Sequence, residues 1–149
     1  MKGLSKKSAW SADEVARFFA DFRAPLRVAA QRESGFPILC SLWFNHRDDQ
    51  LFCATQRDAK IVEALERSPG CAFELAPNEP PYFGVRGRGT ARITDEGAPA
   101  ELESLVDRYL GNRDSELARW LLGRADQEVL IAIEPAWLTS WDYRDRMSG

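Results

Sequence analysis

Phe36-Pro37-Ile38-Leu39-Cys40-Ser41-Leu42-Trp43-Phe44-Asn45-His46 is followed by Arg47-Asp48-Asp49-Gln50, and then by Leu51-Phe52-Cys53-Ala54-Thr55-Gln56-Arg57-Asp58-Ala59-Lys60. Two apolar, aromatic-rich runs divided by a polar cluster read as strand, hairpin turn and strand. The continuation Ile61-Val62-Glu63-Ala64-Leu65 opens a helix. Along the first run the even positions Phe36, Ile38, Cys40, Leu42 and Phe44 are all apolar. Side chains alternate with period two along a strand, so this set is expected to face a core. The odd set Pro37, Leu39, Ser41 and Trp43 is mixed, which suits a ligand face or a subunit seam. Where the second run stops, Thr55, Arg57 and Lys60 fall within six residues. A hydroxyl, a guanidinium and an ammonium then stand beside the free N–H groups of a helix start, a setting that suits a phosphate.

On the N-terminal side, Ser11 and Glu14 form a capping-box pattern, and Val15, Phe18, Phe19 and Phe22 recur at helical spacing. Pro25 is expected to end that helix, and Leu26 to Gln31 reads as a first short strand. On the C-terminal side, Ser68-Pro69-Gly70 breaks the chain before a strand from Cys71 to Ala76. Tyr82 to Ile93 alternates clearly: Phe83, Val85, Gly87, Gly89, Ala91 and Ile93 lie on one face, and Arg86, Arg88, Thr90 and Arg92 on the other. Two inward glycines suit a coiled strand or a close backbone approach. Leu102, Leu105, Val106, Tyr109 and Leu110 mark one helix; Leu117, Trp120 and Leu121 mark another. Val129, Ile131 and Ile133 open the last strand, where Pro135 predicts a bulge or bend. Trp137, Thr139, Trp141 and Tyr143 share a face beyond it. About six strands joined by hairpins, with helices at the periphery, predict a mostly β, antiparallel barrel.

The 149 residues are expected to form one domain, 1–149. A composition of 44% hydrophobic and 29% charged residues belongs to a globular protein. The net charge of −3 argues against nonspecific nucleic-acid binding, and the arginine stripe then reads as a solvated strand face or an interface. Cys40, Cys53 and Cys71 lie in apolar runs and read as buried free thiols in a reducing cytoplasm. No metal site is expected: there is no Cys-x-x-Cys pair, and His46, next to a turn and expected to be exposed, is the single histidine. There is neither a signal-peptide core nor an apolar run of membrane-spanning length. No nucleophile triad, paired carboxylates or dinucleotide fingerprint is visible, so any hard chemistry has to come from a cofactor. No catalytic residue or proton donor can be named.

The order of several short motifs resembles the pyridoxamine 5'-phosphate oxidase-like superfamily, the FMN-binding split barrels of the flavin and deazaflavin oxidoreductases. The matching pieces are Gly35-Phe36-Pro37, Trp43-Phe44, Thr55, Ala59-Lys60, Val85 to Ala91, and Ile133-Glu134-Pro135 to Ser140-Trp141-Asp142, spread between Pro25 and Tyr143. The resemblance implies a six-stranded antiparallel split β-barrel of Greek-key type. It implies FMN as cofactor, with F420 or haem as alternatives on the same fold. The backbone of Leu39, Cys40, Ser41, Leu42 and Trp43 would edge the flavin ring, while Thr55, Arg57 and Lys60 would hold the phosphate. The family is usually homodimeric with each flavin between subunits, so Arg88 and Trp141 are further cofactor-binding candidates, and with Arg86, Arg92, Trp137 and Tyr143 they are candidates for the seam. The implied activity is hydride transfer through flavin N5 to a small molecule, with NAD(P)H or another donor supplying electrons. The alternatives are an F420-dependent reductase or a flavin- or haem-binding module without turnover. The stretch after Trp141 holds Arg144 and Arg146 but no histidine, so oxidation of pyridoxamine 5'-phosphate itself is not expected.

Overall fold

A computed structural model describes residues 1–148; Gly149, the last residue of the expected domain, lies outside them. The strands are β1 (Leu26–Gln31), β2 (Pro37–Leu42), β3 (Phe44–Arg47), β4 (Gln50–Gln56), β5 (Gly70–Leu75), β6 (Phe83–Thr94) and β7 (Glu128–Asp142). All pair antiparallel in one seven-stranded sheet of order β2-β1-β5-β6-β7-β4-β3. Its two edges, β2 and β3, are consecutive in the chain and separated by Trp43 alone. The sheet therefore curls until its edges are joined covalently but not by a hydrogen-bonded ladder. That is a barrel with a split.

The expected count of six strands rises to seven at this point. Leu42 pairs with Leu26 of β1, whereas Phe44 pairs with Cys53 of β4. The chain changes partner across Trp43, and the Phe36–Phe44 run divides there. Alternation survives the division. Ile38, Cys40 and Leu42 pack on the core, Phe44 is fully buried, and Pro37, Leu39 and Ser41 are exposed. Phe36 departs from the expectation: it precedes β2 and is 76% exposed. β3 and β4 form the expected hairpin, with Arg47 opposite Gln50. Its two central residues, Asp48 and Asp49, have φ of 50° and 58°, the backbone of a type I′ turn, whose twist matches that of the strands.

The longest pairing is β6 with β7. Arg88 lies opposite Trp137 and Gly89 opposite Pro135, so Ala136 is the extra residue of a bulge beside the proline. The inner face of β6 carries Val85, Gly87, Gly89 and Ala91, all buried, and Arg86, Arg88, Thr90 and Arg92 point out.

Helix α1 (Ala12–Asp21) begins with the expected box: the Ser11 hydroxyl accepts from the Glu14 amide, and a Glu14 carboxylate oxygen accepts from the Ser11 amide at 2.8 Å. It buries Val15 and Phe19, and it ends at Asp21, four residues before Pro25. Helix α2 (Lys60–Arg67) buries Ile61, Val62, Ala64 and Leu65. Helices α3 (Ala98–Leu110) and α4 (Glu116–Leu122) pack together through Leu102, Val106 and Ala118, a second apolar cluster that meets Trp43 and Ala54. A short α5 (Arg144–Met147) follows β7. Cys53 and Cys71 are buried, Cys40 is half-buried, and all three are free; burial pushes the Cys71 thiol up to about 11. Among the described residues no helix is long and apolar enough to cross a membrane, and no group of three potential metal ligands occurs.

Candidate functional site

The split is where the sheet leaves backbone groups without strand partners. β2 pairs with β1 alone, so its other edge has no ladder. A cleft of about 300 Å³ opens here between the β2–β3 bend and β4 on one side and α3 and α4 on the other. Ser41, Leu42 and Trp43 form one wall, and Ala54, Thr55 and Gln56 the floor. Leu102 and Leu105 of α3, with Leu117, Trp120 and Leu121 of α4, form the roof. Leu117 and Trp120 are 48% and 55% exposed, so much of the roof's apolar surface is open.

Trp43 is both core and wall. Its ring stacks on Tyr109 at 5.0 Å between centroids and 3° between planes. The Tyr109 hydroxyl donates to the Ala24 carbonyl at 3.0 Å, which fixes the stack from outside the cleft. Burial raises the Tyr109 pKa, so the phenol stays a donor across the physiological range.

Part of the lining is polar and charged: Gln56, Arg124 and Glu128. Gln56 and Glu128 lie opposite each other in the β4–β7 ladder. The Gln56 amide donates through Nε2 to Glu128 Oε1, and its Oε1 accepts from Arg124 Nη2. Arg124 also lies 4.6 Å above the Trp120 ring. Glu128 is 5% exposed, and burial moves its pKa upward, with the Gln56 bond and Arg124 acting in the opposite direction.

The residues expected from sequence fall into four places. Ser41, Leu42, Trp43 and Thr55 line the cleft together. Cys40 points the other way and packs on the core, as its even position demands. Leu39 and Arg88 lie on the outer sheet face, along a shallow groove of about 430 Å³ with Arg27, Arg86 and Trp137. There the Arg88 guanidinium is 5.5 Å from the Trp137 ring, and Arg86 is 5.5 Å from Trp141. Arg57 and Lys60 do not line the cleft. Arg57 follows β4 and pairs with Asp95; Lys60 pairs with Glu63 one turn along α2 at 3.0 Å. Both cations are more than half exposed, and Lys60 borders a solvent groove with Arg32 and Arg67.

Sequence reading missed Gln56, Arg124, Glu128 and Tyr109. The helix around Trp120 is visible in the apolar spacing, but nothing local says that it roofs the cleft. Gln56 and Glu128 are 72 residues apart, and only strand pairing brings them together. His46 also differs from expectation. It is half-buried, its ring lies 5.1 Å from Phe19, and its buried Nε2 has no partner among the described residues. Burial lowers its pKa, and it is not part of the cleft lining.

No family model and no curated protein matches the chain. Solved structures do. The conserved hypothetical protein Rv2991 from Mycobacterium tuberculosis superposes with a TM-score of 0.79 at 23% identity, over 98% of this chain and 92% of that one. An F420 reductase superposes at 0.68 with 20% identity, over 81% and 93%. A candidate pyridoxamine 5'-phosphate oxidase from Listeria innocua superposes at 0.64 with 14% identity, over 86% and 95%. At these identities the likeness concerns the fold alone, the split barrel described above.

Proposed function

We propose that this chain is a flavin-dependent oxidoreductase that takes FMN into the cleft at the split and acts on a small molecule. One observation carries the reading: Ser41, Leu42, Trp43 and Thr55, which the family resemblance implies as cofactor contacts, line a single cleft beside an unpaired strand edge. The free N–H and C=O groups of β2 suit the N3–H and carbonyls of an isoalloxazine ring. Trp43, held flat by Tyr109, walls the ring, and Thr55 offers a hydroxyl. Arg124 is the cation at the cleft itself; Arg57 and Lys60 stand outside its lining, and in this reading they meet the phosphate where the ligand projects beyond the cleft. The ion pairs to Asp95 and Glu63 do not oppose this, because exposed pairs are weak and screened and a dianion competes well for both cations. A bound flavin would supply hydride transfer through N5; NAD(P)H is the donor class we expect.

The test is the absorbance spectrum of the purified protein, followed by titration with FMN read by fluorescence. We expect bound flavin or saturable uptake, and Lys60→Ala to weaken FMN by about tenfold, as loss of one charge-assisted bond does. A protein that neither carries flavin nor takes it up overturns the proposal. The likeness to an F420 reductase favours one second reading, a deazaflavin-dependent reductase. It predicts tighter binding of F420 than of FMN in the same competition.

A further inference from the structure

Glu128 is a buried carboxyl that ends on a ligand-sized cleft, and the fold gives it one neutral partner. The orientation of that partner is dictated by chemistry. Arginine can only donate, so the Gln56 oxygen must face Arg124 and its NH₂ must face Glu128 Oε1. Oε1 is therefore an acceptor, and Oε2 is the atom left to hold a proton. Among the described residues Oε2 has no protein partner, yet it is not sealed off: the one buried side-chain atom left unpaired is His46 Nε2.

The surroundings favour the neutral acid. β2 lines the cleft with Ser41 and Leu42, the bend after it adds Trp43, and β4 adds Ala54, Thr55 and Gln56. α3 contributes Leu102 and Leu105, and α4 contributes Leu117, Trp120 and Leu121. Arg124 is the one other charged group in the lining, and it hooks Gln56 and stacks on Trp120 without forming an ion pair with Glu128. A carboxylate placed so, without a counter-ion in contact, resists ionisation.

We propose that Glu128 is the ligand-facing acid of the cleft: protonated at Oε2, it donates a hydrogen bond to a carbonyl oxygen or ring nitrogen of the bound heteroaromatic ligand. The proposal rests on the flavin reading for the identity of that ligand, and it makes Glu128 a specificity residue that selects an acceptor over a donor. The sign of the pH dependence follows. The donor is present below the Glu128 midpoint and lost above it, so affinity falls as pH rises.

Riboflavin is the better probe, because the FMN phosphate itself ionises near pH 6. Riboflavin binding to wild type and to Glu128→Gln is measured by fluorescence across about pH 5 to 9. In parallel, the carboxyl carbons of ¹³C-glutamate-labelled, ligand-free protein are titrated by NMR, with E128Q identifying the Glu128 resonance. We expect wild-type affinity to fall by up to about tenfold per pH unit above the midpoint. E128Q, which keeps a donor at that position, should bind within about threefold of wild type at acid pH and show a flat profile. Matching pH profiles for the two proteins, or a Glu128 resonance that titrates with the surface glutamates, would overturn the proposal. If neither protein takes up flavin, the flavin reading fails by itself. The NMR midpoint then decides for Glu128: a high value keeps the acid, and an ordinary one removes it.

Discussion

At Gly87 the strand has no room for a methyl group. A Cβ built there would lie 2.6 Å from the Phe73 ring and 2.6 Å from the Trp137 carbonyl oxygen. The carbonyl is backbone inside the longest ladder, so it cannot move aside. Gly87→Ala should cost about 1–3 kcal/mol, seen as a lower urea midpoint at unchanged slope. An unchanged midpoint would mean that the ladder yields. The inward direction of Gly87 is legible from alternation along β6, but the carbonyl it must admit comes from β7, 50 positions further on, and is not. The same holds for the cations. Glu63, which pairs with Lys60, stands three residues away and is visible in the sequence; Asp95, which meets Arg57, is 38 residues distant and is not. His46 reads as an exposed turn neighbour, yet Phe19 of α1 covers it. Local spacing carries no information about which helix lands on a given strand.

Elements were the most legible scale, because their signals act over a few residues. The Ser11–Glu14 box starts α1 where the pattern says it should, since both bonds close within one turn. Ser11→Ala removes the hydroxyl that accepts from the Glu14 amide and donates to the Glu14 carboxylate, leaves the Ser11 amide in place, and should cost about 1 kcal/mol in thermal or chemical unfolding, with the fold intact by circular dichroism. No measurable loss would show that tertiary contacts of Val15 and Phe19 alone hold the helix. The bulge at Ala136 was signalled by Pro135, which cannot donate to the ladder. The division of Phe36–Phe44 at Trp43 was not signalled. Both halves are apolar and alternate in phase, so nothing in the run marks the residue at which the partner changes from β1 to β4.

The outer face of the sheet is unusual for a solvated surface. Leu39 is 68% exposed and Trp137 36%, and they border one groove with Arg27, Arg86 and Arg88. Tryptophan and arginine are the residues that dominate binding energy at interfaces, and we predict that a second copy of the chain covers this face. Light scattering coupled to gel filtration should give twice the chain mass. Trp137→Glu should halve it with secondary structure unchanged, and a wild-type chain already at the single-chain mass would refute the seam. What the sequence determined by itself is the set of parts: the hairpin, the helices with their caps, the two faces of β6, the bulge and the motif order of a split barrel. All but the last rest on alternation, capping or turn chemistry among near neighbours; the motif order rests on the family resemblance. What only the tertiary structure decided is where the parts meet: the opening at Trp43, the roof of α3 and α4, and the placement of Gln56 beside Glu128. Those depend on closing the sheet, which joins residues far apart in the chain through ladders that composition and spacing leave open.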